Sequence, residues 1–407
     1  MALHTRRLGP DDSQEVLDQS LALGVEAFGP YPAHLPRPPM PEPGSWPDGV
    51  SMWATFDDAA GDPRMVARVR THAYASWWGG AAIATCGYGG VVVAAEHRGA
   101  GLLTDLFASS LREAAERGDA MSGLFPTAPG IYRKFGYEVV TAFDTVQVPL
   151  ADLAGVRPAP SVRVRRGTAA DEPTLAATYD LWAREQNGPL TRRGPLFATP
   201  PQRGPGFGVT IAEEAAPDGG RRTVGYVVWE REAGYGADKH LLVHDLVALT
   251  GDAARALWKV IASFSSVTGS VRLETSDPDA ARLVLPSLAW DRVGSHPYMV
   301  RVIDVPGALL PRSYAVDGTA VFEVVGDALG LVDGCWQLSV SGGVASVTRV
   351  ADVDAPRLTV NGLSLLQAGA QSCANLRMLG LLEGPSDFDG LYDAWFGGRQ
   401  AHVRNYY

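Results

Sequence analysis

The sequence predicts an α+β protein built from two similar units of strands and helices, followed by a smaller third unit. Three observations lead to this fold class. The pattern of strand, turn and amphipathic helix at residues 91–118 returns in weaker form at residues 243–264. The order of elements at residues 5–23 returns at residues 164–182. From about Val305, alternating apolar residues separated by glycine turns predict a small antiparallel sheet with helices after it.

The elements of the first unit follow from local patterns. "SQEVLDQSLALGVEAFG" predicts a helix with Asp11, Asp12 or Ser13 as its N-cap. "MVARVRTHAY" and "AIATCGYGGVVVA" predict strands, and "GLLTDLFASSLREAAERG" predicts an amphipathic helix that ends at Gly118. "AMSGLFPT" predicts a short strand, and "GIYRKFGYEVV" predicts a helical turn followed by a strand.

The linker "ADLAGVRPAPS" and the change of pattern near Val305 divide the chain into residues 1–155, 156–304 and 305–407. The second unit reads "ALTGDAARAL" where the first reads "AEHRGAGLLTDL". The second unit has therefore lost the glycine turn, and we expect it to bind no ligand there.

Composition limits the function classes. With 407 residues, 46% hydrophobic and 20% charged, the chain is typical of a globular protein of several domains. A net charge of -10 argues against a nucleic-acid partner. Three distant cysteines without ligand spacing predict buried thiols and no metal site. No apolar signal core or membrane helix is evident, so we expect a cytoplasmic location without membrane contact.

A turn between a strand and a helix is the strongest candidate for a ligand site. Arg98, Gly99, Ala100 and Gly101 lie between the valine run and the next helix. Free amides and the positive end of a helix dipole at such a junction bind phosphate, and glycines let the backbone approach it. These residues alone leave two interpretations open, a phosphate site and a plain strand-to-helix connection.

This turn resembles the acetyl-coenzyme A loop of the GCN5-related N-acetyltransferases (GNAT), whose pattern is Arg/Gln-x-x-Gly-x-Gly/Ala. Arg98 and Gly101 match, and Leu103 stands where Gly or Ala is usual. With "GIYRKFGYE" downstream, the layout is similar over essentially the whole chain to the enhanced intracellular survival (Eis) family. The resemblance implies a catalytic GNAT domain at 1–155, a degenerate GNAT-like domain at 156–304 and a sterol-carrier-like domain at 305–407.

The same resemblance implies acetyl-coenzyme A as co-substrate, without a metal. The backbone of Val91–Val93 would flank the thioester, and the backbone of Gly99–Thr104 would hold the pyrophosphate. The implied coenzyme residues are Val91, Val92, Val93, Arg98, Gly99, Ala100, Gly101, Leu102, Leu103, Thr104, Thr127 and Ala128.

Two residues are candidates for proton transfer. The strand "TCGYGGVVVAA" contains no acid, so the base must come from elsewhere or from water. Tyr132 in "GIYRKFGY" resembles the general acid of the family. A phenol with a pKa of about 10 is protonated at neutral pH, so it can donate a proton to a departing thiolate. By position alone, Tyr132 fits a packing role equally well, and we expect Tyr137 to belong to the core. The resemblance makes the α-carboxylate of Tyr407 the general base, brought back into the first domain by the third.

Family members acetylate amines, so we expect a polyamine-like, aminoglycoside-like or lysine-type acceptor. Glu26, Phe28 and Tyr406 fall where acceptor residues are expected, although Glu26 could equally be a solvated helix residue. Tyr406 stands where the best-known relative has an acid, so aminoglycosides are not favoured over other amines. A non-catalytic acyl-coenzyme A or lipid-binding protein and transfer of a larger acyl group remain alternatives. The family resemblance also implies a homohexamer.

Overall fold

The computed structural model describes residues 3–30, 41–59, 61–157, 159–197, 206–276, 279–351 and 353–407. Within these ranges, two similar units share one long sheet and a third unit has a smaller sheet of its own. The predicted α+β class with two related units and a distinct third unit is confirmed. No helix in the described ranges combines the length and the apolar character needed to cross a bilayer.

The first unit contains six strands and three helices of the described residues. Its strands are β1 (Leu3–Leu8), β2 (Val50–Asp57), β3 (Arg64–Trp78), β4 (Ala81–Val93), β5 (Met121–Leu124) and β6 (Glu138–Pro149). Its helices are α1 (Gln14–Phe28), α2 (Leu103–Arg117) and α3 (Pro129–Arg133). The predicted ends are confirmed at two places: the Ser13 hydroxyl caps α1, and Gly118 follows α2 with a φ of +93°.

The second unit repeats this order. Its strands are β7 (Val162–Arg166), β8 (Phe207–Ala215), β9 (Arg221–Arg231), β10 (Gly236–Ala248), β11 (Thr268–Thr275) and β12 (Asp291–Val302). Its helices are α4 (Glu172–Ala183) and α5 (Gly251–Ala262). Only residues 249–250 join β10 to α5, whereas residues 94–102 join β4 to α2. The Thr250 hydroxyl accepts a hydrogen bond from the amide of Ala253 at 3.1 Å, so the side chain of Thr250 caps the N-terminus of α5.

The third unit packs its helices against a mixed sheet with the strand order β15-β14-β13-β16-β17. Its strands are β13 (Gly318–Val325), β14 (Gly334–Ser341), β15 (Val344–Arg349), β16 (Arg357–Thr359) and β17 (Leu382–Glu383). Its helices are α6 (Val305–Leu309), α7 (Val360–Gln367), α8 (Cys373–Met378) and α9 (Asp389–Phe396).

The first two units exchange their last strands. The strand order is β1-β2-β3-β4-β5-β12-β6-β11-β10-β9-β8-β7. Thus β12 of the second unit lies beside β5 of the first, and β6 of the first lies beside β11 of the second. Because the second unit completes the first sheet, strand pairing crosses the predicted limit at residue 155, and that limit stays a prediction.

A buried arginine joins all three units. Arg301 on β12 is fully buried, and its Nη2 donates to both carboxylate oxygens of Asp327 at 2.7 Å. Its Nη1 donates to the carbonyl of Phe135 in the first unit. Burial alone would raise the pKa of Asp327, but the charge of Arg301 and the amide donors bring it below its usual value.

After α9 the chain runs back across the second unit toward the first. The amide of Asn187 donates to the carbonyl of Gln400 at 2.8 Å, and the amide of His402 donates to the carbonyl of Asn187 at 2.7 Å. The amide of Val403 then donates to the hydroxyl of Ser276 at 2.9 Å. We call residues 397–407 the tail.

The tail is fixed by ion pairs buried in the second unit. Arg404 is 4% exposed, and its Nη2 lies 2.9 Å from a carboxylate oxygen of Asp279. Its Nη1 lies 3.9 Å from Asp245, which Arg192 also contacts at 2.6 Å. Burial raises the pKa of each carboxyl group, but the arginines outweigh it and hold both pKa values below the usual range. Both carboxylates are therefore charged at neutral pH.

Replacing Asp327→Ala tests the link between the units. It leaves Arg301 buried without its counter-ion, so we expect a loss of about 3 kcal/mol of stability and a clearly lower Tm by calorimetry. Glu383→Ala is the control, because the Arg357–Glu383 pair is exposed at both side chains and should contribute less than about 1 kcal/mol. Equal Tm values for the two variants would contradict the assignment.

His402 gives the folded protein a pH dependence. It is buried, both ring nitrogens have no partner among the described residues, and burial together with Arg404 lowers its pKa well below the usual value. The unfolded chain binds this proton near pH 6.5, so stability is complete above that pH and falls below it by up to about 1.4 kcal/mol per pH unit.

We therefore expect His402→Leu to flatten the dependence of Tm on pH between about pH 7 and about pH 5. The control is His296→Leu, which replaces an exposed histidine of β12 and should keep the wild-type slope. A His402→Leu protein with the same slope as the wild type would refute this role.

Candidate active site

The site begins where two parallel strands part. β4 and β5 pair from Thr85 opposite Met121 to Tyr88 opposite Leu124. β5 ends there, whereas β4 continues to Val93. A gap therefore opens beside the last residues of β4, at the carboxyl ends of both strands, which is a common place for a ligand in α/β sheets.

A β-bulge shapes β4 beside this gap. The register between β3 and β4 shifts around Gly90 and Val91, and Gly90 has a φ of +57°, a conformation that favours glycine. Arg68 of β3 fixes the bulge, because its Nη1 donates to the carbonyl of Gly90 at 3.0 Å. A bulge interrupts the ladder and re-aims the backbone that follows it.

The turn before α2 leaves its backbone open. Gly99 and Gly101 have φ values of +83° and +79°, and a Cβ on either would meet no atom within 4 Å. Glycine is thus required by conformation, and the space in front of the turn is empty. No side chain of the described residues caps α2, and the amides of Leu102 and Leu103, at the positive end of the helix dipole, have no backbone acceptor among those residues.

A cavity of about 530 Å³ connects the turn with the end of β4 and with α3. Most of the predicted coenzyme residues line it, and so do Tyr132 and Phe28. Those that line it are Val91, Val92, Val93, Arg98, Gly99, Gly101, Leu102, Leu103, Thr104 and Thr127. The size suits a drug-sized ligand.

Two predicted coenzyme residues lie outside this lining. Ala100 lines a neighbouring cavity of about 410 Å³ between α2 and the edge formed by β1 and β2. Ala128 is the exposed N-cap residue of α3. The sequence analysis missed Ala27, Ile131, Lys134 and Phe135, which also line the main cavity. Ile131, Lys134 and Phe135 belong to "GIYRKF", the segment that contains Tyr132. The helical turn predicted for this segment could have indicated that they lie beside Tyr132.

Tyr132 projects from α3 into the cavity. It is 6% exposed, and its ring packs edge-to-face against Phe107 at 5.8 Å between centroids. Burial raises the pKa of Tyr132 to about 12. The phenol is therefore protonated at neutral pH and can donate its proton.

The ring of Tyr407 is docked onto the first unit. Its hydroxyl lies 3.1 Å from that of Tyr298, and its ring centroid lies 4.9 Å from that of Tyr74. A Cβ on Gly87 or Gly123 would lie 2.8 or 3.0 Å from Tyr407 atoms, so these glycines provide the space for it. They are opposite each other in β4 and β5, one residue before the last pair. The tail thus ends beside the gap.

The structure separates the predicted acceptor residues. Phe28 lines the main cavity. Glu26 is exposed, and its Oε1 accepts the amide of Ala95 at 3.0 Å, so its carboxylate holds the start of the turn. Tyr406 is 56% exposed, and its ring lies 4.5 Å from that of Phe125. The acceptor roles of Glu26 and Tyr406 stay predictions.

Comparison with protein families agrees with this arrangement of units. Residues 41–140 and residues 197–302 each match an acetyltransferase (GNAT) domain. Residues 305–403 match a sterol carrier protein domain. Strands β2 to β5 and the turn of the first unit fall within the first of these matches, and the last match covers the strands and helices of the third unit.

Similar proteins cover most of the chain. An uncharacterized N-acetyltransferase of Streptomyces avermitilis is 31% identical over 322 residues, which are 74% of this chain and 75% of that protein. The N-acetyltransferase Eis of Mycobacterium tuberculosis is 29% identical over 248 residues, 57% of this chain and 58% of that protein. The crystal structure of a GCN5-related N-acetyltransferase from Kribbella flavida is 26% identical, with a TM-score of 0.80 over 100% of this chain and 99% of that one. With two GNAT domains and a sterol carrier domain in this order, the chain belongs to the Eis-like family of GCN5-related N-acetyltransferases.

Proposed function

We propose that this N-acetyltransferase moves an acetyl group from acetyl-coenzyme A to the amine of a small-molecule or lysine-type acceptor by direct attack. The observation that carries the proposal is the open turn at Gly99–Thr104 beside a cavity that also contains Tyr132. Outward amides at a helix N-terminus bind a diphosphate without a metal. The coenzyme supplies an activated acetyl thioester, and the residues of the chain orient it and move the protons.

The fit of the coenzyme rests on the chemistry of the cavity. The empty space in front of Gly99 and Gly101 lets a diphosphate reach the backbone. The cavity then runs toward Val91–Val93, whose backbone lies beside the gap between β4 and β5 and would flank the pantetheine and thioester. Thr127 lines the opposite wall.

Tyr132 is proposed as the general acid. The amine nitrogen forms a bond to the acetyl carbon, the carbon–sulfur bond breaks, and the phenolic proton passes to the leaving sulfur. The raised pKa of Tyr132 keeps that proton in place before the reaction. A positioned acid contributes typically about 10²-fold or more to the rate.

The α-carboxylate of Tyr407 is proposed as the general base, which accepts the proton released by the attacking nitrogen. Two observations support it: the Tyr407 ring occupies the space above Gly87 and Gly123, and the buried pairs of Arg404 fix the tail that carries it. An α-carboxyl group is a weak base in water, with a pKa of about 3.5. A partly buried position raises that value, because burial disfavours the charged form.

The domain limits at 155 and 304 and a homohexameric assembly remain part of the proposal. Light scattering measures the assembly directly. The acceptor is limited here to an amine, and its class is taken up below.

Thiol release from acetyl-coenzyme A with a panel of amines tests the proposal, together with calorimetry of coenzyme binding. Binding with amine-dependent release supports it. Binding without release from any amine would favour the non-catalytic acyl-coenzyme A-binding alternative, and failure to bind would overturn both. Longer acyl thioesters in the same assay show whether acetyl is the preferred group.

Replacing Tyr132→Phe removes the acidic proton and keeps the ring packing. We expect kcat to fall by about 10²-fold with little change of KM, measured by steady-state thiol release. Tyr137→Phe is the matched control, because the Tyr137 hydroxyl bonds to Ser122 at 2.7 Å in the core, and it should keep the wild-type kcat. A wild-type kcat for Tyr132→Phe would remove the acid role.

A protein that ends at Tyr407 can be compared with one carrying a short Gly-Ser extension. The extension moves the carboxylate away from the gap, so we expect transfer to be lost while coenzyme binding by calorimetry stays nearly unchanged. Extending the N-terminus by the same residues is the control. Full transfer activity of the C-terminally extended protein would rule out this base.

A further inference from the structure

One face of β3 lies beside the docked tail. Arg70, His72 and Tyr74 alternate along this strand, so their side chains share a face. The ring centroids of His72 and Tyr74 lie 6.4 and 4.9 Å from that of Tyr407. We call Arg70, His72 and Tyr74, together with the ring of Tyr407 that packs against them, the β3 face. It borders the gap on the side from which Tyr407 enters, where the amine must attack if the proposed function is right.

The neighbouring strand leaves room above this face. Gly89 of β4 lies opposite Arg70, and Gly87 lies opposite His72. Neither glycine has a side chain to cover the strip; the nearest atoms above Gly87 belong to the rings of Tyr74 and Tyr407, and the nearest atom above Gly89 belongs to the ring of His72. The sheet at this place therefore has a backbone floor, with a basic group at one end and aromatic rings at the other.

Arg70 has no counter-ion in the part of the chain that the structure describes. It is half-buried, its Nε is buried without a hydrogen-bond acceptor, and no ion pair joins it to a carboxylate of those residues. Burial lowers the pKa of Arg70 below its ordinary value. A cation in this position is costly unless an anion joins it.

Apart from the α-carboxylate of Tyr407, which is proposed as the base, the charged groups that act on Arg70 and His72 include no Asp or Glu of the described residues. Arg68 donates to the carbonyl oxygens of Ser20 and Gly90 and not to a carboxylate. Burial, followed by the charge of Arg70, lowers the pKa of His72 to about 4, so this ring is neutral and balances neither arginine. A chain with a net charge of -10 thus has a local basic site here.

We infer that the acceptor amine carries an anionic group, a carboxylate or a phosphate, which Arg70 binds while the amine faces Tyr407. This inference rests on the proposed function. The planar guanidinium fork matches both anions in bidentate geometry. The rings of Tyr74 and Tyr407, with Phe197 at 5.7 Å from Tyr74, suit a short apolar or aromatic body between the two groups. Polyamines and other polycations are poor ligands of this face, because Arg68 and Arg70 repel them.

Matched acceptor pairs test the inference: phenylalanine against 2-phenylethylamine, and O-phosphoethanolamine against ethanolamine, with spermidine as a polycation. We expect the wild type to favour the anionic member of at least one pair by about 10-fold in kcat/KM, as for a charged hydrogen bond. Arg70→Met should remove that preference. Arg70→Lys should restore part of it. Arg64→Met, an exposed arginine at the start of β3, is the control and should keep it.

Calorimetric titration of the same probes into the protein saturated with coenzyme A separates this inference from the proposed function. Weaker binding of the anionic members to Arg70→Met than to the wild type supports the inference, whether or not any amine releases thiol. If no amine releases thiol, only the proposed function fails. Equal affinity for both members of every pair in the wild type overturns it. A uniform fall of kcat for all acceptors in Arg70→Met also overturns it, because Arg70 would then position the tail carboxylate and would not select the acceptor.

Discussion

The buried ion pairs of Arg404 hold the tail on the second unit. The guanidinium is buried between Asp279 and Asp245 of the second unit, and the pair with Asp279 is 2.9 Å long. Desolvating such charges is expensive, so they remain buried only with close partners. Moving residues 397–407 away from the second unit would separate these charges and expose the apolar tail residue Val403, which is 1% exposed. The place of Tyr407 beside the gap follows from this one constraint.

The second unit therefore acts as a scaffold for the first. Its strand β12 pairs with β5 of the first unit, and its strand β11 pairs with β6 of the first unit. It also supplies the carboxylates that bind Arg404 of the tail. Arg301 on the same β12 binds Asp327 of the third unit and the carbonyl of Phe135, a residue that lines the cavity. Without the second unit, the first sheet would lack a strand and the tail would lack its anchor.

The two sides of the gap, which we propose bind the coenzyme and the acceptor, differ in how they are built. The coenzyme side consists of backbone, with open amides at Leu102 and Leu103 and glycines whose positive φ values create the turn. The acceptor side consists of side chains from distant segments, with Arg70 and His72 from β3 and Tyr407 from the tail. On this proposal, side chains of the acceptor side could change without disturbing the backbone of the turn.

The sequence by itself determined the features that depend on neighbours along the chain. The turn at Gly99 and Gly101, the end of α2 at Gly118 and the helical turn that carries Tyr132 are local, since each depends on the conformation of a few consecutive residues. The resemblance of these segments to a family also led to the coenzyme residues, most of which line one cavity.

Only the tertiary structure decided the rest. The exchange of β6 and β12, the burial of Arg404 against Asp279 and the lack of a counter-ion for Arg70 among the described residues all depend on residues far apart in sequence. Arg404 and Asp279 are 125 positions apart, and no local pattern marks them as partners. Electrostatic and packing energies depend on distance in space, so a sequence shows the charges, and only the fold shows which of them meet.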